Sequence, residues 1–184
     1  MDPTLRPEAP AAAVGGLLLG ALRASGRFLL RVPLALALVL PVGWALVIWD
    51  LSSQSRPVKT SESFLWEFAS NLAHAPLFGL LTLFLAAVLL RERGGGWPHA
   101  RGWPRVLVFA CTLGYAVLDE IHQSHTPGRH ASAGDVVTDV VAALQVLWIV
   151  TYLGRPGASE PGLVRRLAVG GLLCVASALL ATLS

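Results

Sequence analysis

Long apolar stretches without charged side chains recur along this chain and limit what it can fold into. Five of them approach the length of about 20 residues that a helix needs to cross the hydrocarbon core of a bilayer. They cover approximately residues 32–49, 68–90, 106–118, 140–153 and 167–184. Their number and spacing predict a chain that crosses a membrane several times.

The charge content agrees with a membrane protein. Charged residues make up 14% and hydrophobic residues 54% of the 184 residues, whereas about 25% of the residues in a soluble domain are charged. A small soluble domain needs a polar exterior, which so few charges cannot supply. The composition therefore excludes a soluble globular enzyme, a disordered chain and a nucleic-acid-binding domain. We predict an all-α, polytopic bundle of about five transmembrane helices.

Basic residues predict how the bundle is oriented. Arginine and lysine accumulate in cytoplasmic loops and set the topology of membrane proteins. Eleven of the 14 basic residues lie before span one, between spans two and three, or between spans four and five. The other three, on the opposite side, are Arg56, Lys59 and Arg129. We therefore predict a multi-pass protein of the cell membrane with a cytoplasmic N-terminus and a C-terminus outside.

The chain divides into three predicted parts. Residues 1–31 form a flexible or interfacial cytoplasmic segment, with a sixth span over the apolar residues 11–22 as the alternative. Residues 32–154 form a membrane domain of four spans, and residues 155–184 add a C-terminal transmembrane helix. Residues 61–72, ahead of span two, show an amphipathic pattern that predicts an interfacial helix, unless span two simply begins early.

Spans three and four are too short unless they carry acidic residues into the membrane. Span three has 13 uncharged residues between Arg105 and Asp119, and span four has 14, over residues 140–153. Each must therefore include carboxylates at its outer end. A carboxylate near the bilayer centre costs about 2.5–3.5 kcal/mol, and such residues normally face the bundle interior and have a partner.

The segment that joins these spans carries turn and helix-start signals. Pro127-Gly128 indicates a turn, and Ser132, followed three residues later by Asp135, resembles a capping box. Arg129 is interpreted either as a counter-ion for the nearby acids or as a bidentate ligand for phosphate or carboxylate. The histidines of this segment are expected to lie in a solvated loop, since their spacing matches no zinc pattern. They are His122, His125 and His130.

The predicted orientation brings these residues together at the outer end of the bundle. His74 of span two joins them, since Pro76 predicts the first helical turn there and places His74 at the outer mouth. The resulting pocket would suit an amphiphile with a polar head and a lipid tail. We expect no metal and no cofactor. The candidate acid/base or binding residues are His74, Asp119, Glu120, Gln123, Arg129, Asp135 and Asp139.

At this constellation the chain resembles the VanZ-like family of small membrane proteins. The resemblance rests on Asp119-Glu120-x-x-Gln123, then Pro127-Gly128-Arg129, then Ser132-x-x-Asp135, with Ser52-Ser53-Gln54 and His74 upstream. It covers residues 32–153 and implies a core of four spans and a role in the cell envelope. The family is named for a teicoplanin-resistance protein, so the resemblance also implies a contribution to resistance against glycopeptide antibiotics of that type.

The chain departs from the pattern of that family at several positions. The usual Asp-Lys ahead of the histidine reads Ser70-Asn71, the usual Tyr is Phe78, the usual Asn is Asp139, and a usual Gly is Ala142. Losing a lysine and gaining an aspartate makes an anionic ligand less favoured here than in a typical member. The fifth span also goes beyond the usual core.

Three functions remain open at this point, besides a purely structural role. The first is a non-enzymatic envelope protein that binds membrane lipids and a lipid-linked cell-wall precursor or a glycopeptide. The second is a membrane-embedded enzyme that uses acid/base chemistry on a phosphorylated or lipid-linked envelope substrate. The third, proton-coupled transport, is weakened because no inverted repeat is visible and five spans are few for a transporter. Whether the chain is an enzyme therefore stays undecided by the sequence.

Overall fold

All the secondary structure of the described residues is helical. The computed structural model describes residues 16–55, 64–91, 102–129 and 131–183. The expectations for residues 1–13, Arg56, Lys59 and His130 lie outside these ranges. The predicted all-α class is confirmed. The helices are α1 (Leu17–Arg31), α2 (Leu34–Ser53), α3 (Phe64–Leu89), α4 (Trp103–Ser124), α5 (Ala133–Leu153) and α6 (Glu160–Leu183).

Four of these helices, α2, α3, α5 and α6, are long and apolar enough to cross a membrane. Helix α4 has 22 residues, which suffices in length, but it carries Arg105, Asp119 and Glu120. It packs on α2, α3 and α5, and its two carboxylates are buried among these helices. The bundle agrees with the prediction of about five spans.

Burial in the bundle is inverted relative to a soluble protein. Large apolar side chains face outward, as Leu36, Leu172 and Leu180 do with 60–70% of their surface exposed. Charged side chains lie inside, since Asp119 is 1% and Asp139 0% exposed. An apolar exterior around a polar interior suits a bundle surrounded by lipid, where ionisable residues normally face the bundle interior.

The helix connections define two ends of the bundle. At one, which we call the motif end, α2 and α4 finish while α3 and α5 begin. At the other, the arginine end, Arg23 donates to the carbonyls of Leu153 and Arg155, and Arg91 donates to that of Leu29. Helix α1 lies there, and its 15 residues span only about 22 Å.

Helix α3 runs without interruption from Phe64 to Leu89 and contains Pro76 in its interior. The alternative in which span two begins early is therefore what the structure shows. The expectation that Pro76 marks the first turn is wrong, because three helical turns precede it. His74 consequently lies well inside the helix, and it is only 6% exposed.

Helix α6 packs closely against α5 and α3. At Gly134, in the first turn of α5, a Cβ atom would meet Ala181 Cβ at 2.6 Å and Ala181 Cα at 2.7 Å. Close approach through small residues is a common way for membrane helices to associate. Asn71 of α3 donates to Thr182 Oγ1 at 3.0 Å. The C-terminal helix is thus bound to the motif end on two sides.

We predict that Gly134→Ala destabilises the protein, although alanine favours a helix over glycine by up to about 1 kcal/mol. The new methyl group would force α5 and α6 apart, at a cost of about 1–3 kcal/mol. Thermal unfolding in detergent measures the difference. Gly171→Ala is the matched control, since a Cβ there meets nothing within 4 Å. A Gly134→Ala protein as stable as this control would contradict the tight packing.

Candidate functional site

A tight turn between α4 and α5 sets the position of Arg129. The Arg129 N–H donates to the Thr126 carbonyl at 3.1 Å, and Gly128 has a φ of 76°. Proline at the second position and a glycine with positive φ at the third are the features of a type II turn. The predicted Pro127-Gly128 turn is confirmed, and the positive φ explains why a glycine follows the proline.

The predicted start of α5 at Ser132 is also confirmed. The Ser132 hydroxyl accepts the N–H of Asp135 at 3.3 Å, which is the usual N-cap arrangement. The Ser132 N–H donates to Glu120 Oε2 at 2.7 Å. In a capping box that N–H bonds the side chain three residues further on, but here a carboxylate of α4 accepts it. This bond ties the end of α4 to the start of α5.

Four polar side chains, which we call the arginine network, connect α4 with the end of α2. Asp119 is at their centre: Ser52 Oγ donates to its Oδ1 at 2.6 Å, and Gln123 Nε2 donates to its Oδ2 at 2.8 Å. Arg129 Nη1 donates in turn to Gln123 Oε1 at 3.3 Å. Both oxygens of this buried carboxylate are therefore satisfied, as buried polar groups require.

Arg129 also binds the C-terminal end of α2 directly. Its Nη2 donates to the Leu51 carbonyl at 2.6 Å, and its Nε donates to the Gln54 carbonyl at 3.3 Å. The last carbonyls of a helix have no partners within it, and a cation there is favoured by the helix dipole. Helix α2 has no basic residue in its last turn, so Arg129 supplies this cap from the neighbouring turn.

A second group, the acid–histidine cluster, lies where α3, α4 and α5 meet. It consists of His74, Glu120, Asp135 and Asp139. His74 Nδ1 lies 3.2 Å from Asp139 Oδ1, and His74 Nε2 lies 3.9 Å from Asp135 Oδ2. The two aspartates are one helical turn apart and share a face of α5. The imidazole of α3 is therefore in contact with the carboxylates of that face.

The cluster is buried on every side. Its four members are at most 7% exposed. The Phe78 ring, one turn further along α3, stacks with the His74 ring at a centroid distance of 6.0 Å and is itself 0% exposed. Glu120 Oε1 and Asp139 Oδ2 are buried without a hydrogen-bond partner among the described residues. Such atoms are uncommon in proteins and call for a functional or ligand-based explanation.

All seven candidate residues lie at the motif end, but the structure separates them. Asp119, Gln123 and Arg129 belong to the arginine network, while the other four form the acid–histidine cluster. The neighbours Asp119 and Glu120 point into different groups, and Glu120 faces the cluster. Arg129 reaches backbone carbonyls, which sequence patterns do not reveal. Ser52, quoted for the resemblance but not among the seven candidates, is the nearest donor to Asp119.

An aromatic pair flanks the arginine network. His122 stacks on Trp49 at a centroid distance of 3.7 Å and an interplanar angle of 20°, and its Nε2 lies 2.9 Å from Ser53 Oγ. His122 belongs to α4 and is half-buried, so the expectation that it lies in a solvated loop is wrong. The sequence contained a signal for this contact, because Trp49 and Ser53 are one turn apart at the end of span one and therefore share a helix face.

The departures from the family pattern also have structural partners. Asn71 stands where the resemblance leads one to expect lysine, and it binds Thr182 of the additional helix α6. Asp139 stands where asparagine is usual, and it binds His74. Phe78 stands where tyrosine is usual, and it packs against His74 and Tyr115. In this chain Asn71 therefore helps to hold α6 against α3.

The cluster offers acid/base and metal-binding groups rather than a nucleophile. A histidine oriented by a carboxylate is a typical general acid or base. His74, Glu120 and Asp135 each offer one potential ligand atom, and these atoms lie within 4.8 Å of one another. The two cysteines, Cys111 and Cys174, are free and take no part in the cluster.

Arg129→Lys is expected to destabilise the motif end. A lysine ammonium cannot reach the carbonyls of Leu51 and Gln54 and the Gln123 amide at once, because it lacks the planar fork of the guanidinium. Leaving such acceptors unsatisfied costs about 1–3 kcal/mol. Thermal unfolding in detergent measures the change, and Arg165→Lys, at an exposed position, is the control. Equal stability of the two variants would show that Arg129 does not cap α2.

Comparison with known proteins supports the resemblance. The VanZ/LLP1 family matches residues 20–154, a stretch that contains α2–α5, the arginine network and the acid–histidine cluster. Helix α6 lies beyond it. No curated protein sequence and no solved structure matches the chain. Since the match covers well over half of its length, the chain belongs to the VanZ/LLP1 family.

Proposed function

We propose that the chain is a multi-pass plasma-membrane protein that acts on the polar head of a lipid-linked envelope substrate at its motif end, outside the cell. Acid/base chemistry by the acid–histidine cluster is the proposed activity. The observation that carries this proposal is the buried pair of His74 and Asp139, with two further carboxylates beside it. Ionisable residues inside a membrane bundle are usually functional, because they cost stability.

The distribution of arginines supports the proposed orientation. Within the described residues, Arg129 lies at the motif end, whereas the other arginines lie at the arginine end. Cytoplasmic loops are enriched in basic residues, so the arginine end is proposed to face the cytoplasm. The arginines at that end are Arg23, Arg27, Arg31, Arg91, Arg105, Arg155, Arg165 and Arg166.

The surroundings of the cluster support a membrane-borne substrate. The outer surfaces of α2 and α6 are apolar over most of their length, so a lipid tail can remain in the bilayer beside them. Trp49, which is 44% exposed, lies at the motif end, where tryptophan typically marks the level of the lipid headgroups. A polar head at that level lies at the same end of the bundle as His74.

The hydrogen bonds of the charged groups favour acid/base chemistry over ligand binding alone. Arg129, the candidate for clamping an anion, makes three hydrogen bonds that hold α2, α4 and the turn together. The cluster that remains contains three carboxylates and one imidazole, which suits proton transfer better than attraction of an anionic ligand.

Binding without catalysis is the second candidate. The stacked pair of the exposed Trp49 and the half-buried His122 favours it, since aromatic surfaces recur at binding sites. In that case the protein would bind a lipid-linked cell-wall precursor or a glycopeptide, and could thereby contribute to teicoplanin-type resistance. His74 would then matter only through its effect on affinity.

His74→Gln separates the two candidates. We expect general acid/base catalysis to fall by about 100-fold or more while the protein still folds. Native mass spectrometry of protein extracted with its lipids would then show a substrate lipid retained by the variant and absent from the wild type. Teicoplanin susceptibility of a sensitive bacterial host that expresses each variant provides a second measurement.

His125→Gln is the matched control, because His125 is exposed at the same end. It should behave as the wild type in both measurements. A His74→Gln protein that folds and retains full function would contradict the proposed chemistry. Weakened lipid retention in this variant, without accumulation of any lipid, would favour the binding candidate instead.

The orientation is tested with single cysteines in a protein that carries Cys111→Ala and Cys174→Ala. We expect Ser124→Cys, at the motif end, to react with an impermeant maleimide in intact cells. Gly157→Cys, exposed in the turn at the arginine end, should react only after permeabilisation. The reverse pattern of labelling would place the cluster on the cytoplasmic side and exclude an external substrate.

A further inference from the structure

We propose that His74, Glu120 and Asp135 hold a divalent first-row transition-metal ion such as Zn²⁺ or Mn²⁺. The three residues come from three helices, all three are buried, and one potential ligand atom of each lies within 4.8 Å of the others. Ligands on a tetrahedral ion with bonds of about 2.1 Å lie about 3.4 Å apart. Small rotations of the side chains would therefore suffice to close the site around an ion.

The orientation of His74 matches that of a metal ligand. Its Nδ1 lies 3.2 Å from Asp139 Oδ1, whereas its Nε2 lies on the side of Asp135, 3.9 Å from Oδ2. Histidines that bind metals commonly donate the N–H of the other ring nitrogen to a carboxylate, which fixes the tautomer and the direction of the ring. Asp139 would be this positioning residue and would not bind the ion.

The carboxylates around the imidazole also favour a cation. Glu120, Asp135 and Asp139 lie together in a buried site, where like charges repel strongly. Glu120 uses Oε2 to accept the Ser132 N–H, while its Oε1 is buried and has no hydrogen-bond partner among the described residues. A divalent ion would offset two negative charges and bind this oxygen.

The other acid of the motif would not take part. Both oxygens of Asp119 already accept hydrogen bonds, from Ser52 and Gln123, so the arginine network leaves it no oxygen for an ion. The sequence predicted no metal because the proposed ligands are far apart along the chain, at positions 74, 120 and 135. Only the packing of α3, α4 and α5 brings them together.

Three protein ligands would leave coordination positions open, as in catalytic metal sites. The donor set of one imidazole and two carboxylates suits zinc or manganese better than softer metals that prefer thiolates. An oxygen of a phosphate or carboxylate head could take an open position. Because the ion and Asp139 would occupy both nitrogens of His74, water bound at another open position would supply the acid/base group. That role of the ion rests on the proposed function, whereas its presence does not, and the following test measures its presence.

The test is the metal content of the full-length protein, purified in detergent with an affinity tag that contains no histidine. The protein is stripped with a chelator, and separate samples are reloaded with Zn²⁺ or with Mn²⁺. After unbound ions are removed, elemental mass spectrometry measures the metal that remains bound. We expect about one ion per chain in the wild type and in the His125→Gln control. Glu120→Gln and Asp135→Asn should retain at least tenfold less, and Asp139→Asn should lose about 10- to 100-fold in affinity.

Titration of the unmutated protein with Co²⁺ provides a readout that does not depend on the folding of any variant. Visible absorption bands that saturate at one equivalent and disappear when Zn²⁺ is added are expected. A wild type that binds neither Zn²⁺, Mn²⁺ nor Co²⁺ would overturn the proposal, as would full metal content in folded Glu120→Gln and Asp135→Asn. Lipid turnover that persists after chelation would exclude a role for the ion in the activity, and a loaded protein without lipid turnover would contradict only the proposed function.

Discussion

The structure depends on the burial of charged groups inside a bundle whose exterior is apolar. Asp119 and Glu120 lie in the last two turns of α4, and Asp135 and Asp139 lie in the first two turns of α5. Four buried carboxylates are therefore concentrated at one end of the bundle. In an apolar medium each would destabilise the bundle by several kcal/mol unless it finds partners. The geometry of the motif end follows from how these four carboxylates are satisfied.

The buried carboxylates of the motif end are stabilised in two different ways. The arginine network satisfies Asp119 completely and uses Arg129 to join the end of α2 to the α4–α5 turn, which makes it a structural device. The acid–histidine cluster leaves a Glu120 oxygen and an Asp139 oxygen without hydrogen bonds among the described residues. A group of residues that only stabilised the fold would resemble the first solution. The incomplete satisfaction of the second supports a functional interpretation.

Much of this could be predicted from the sequence, for physical reasons that concern particular residues. The apolar runs require helices, Pro127-Gly128 requires a turn, and Ser132 with Asp135 marks a helix start, because these signals act locally. The partners of Arg129 could not be predicted, since they are backbone carbonyls of α2. The depth of His74 was also mispredicted, since the packing of α3 keeps Pro76 within a continuous helix. The separation of Asp119 from Glu120 depends on the rotation of α4, which no local pattern encodes.

The central claim is that the acid–histidine cluster is retained for function and lowers stability. Its most direct test is the thermal unfolding of a variant with His74→Phe, Asp139→Leu and Asp135→Asn, because His74 also pairs with Asp135. Unfolding is measured with a chelator, so that no bound ion contributes. Replacing a buried ionic pair by apolar residues of similar volume is often neutral or stabilising. We predict an unfolding temperature equal to or above that of the wild type, together with loss of function in the same preparation. An unfolding temperature many degrees lower would show that the pair holds the fold together, and would contradict the claim.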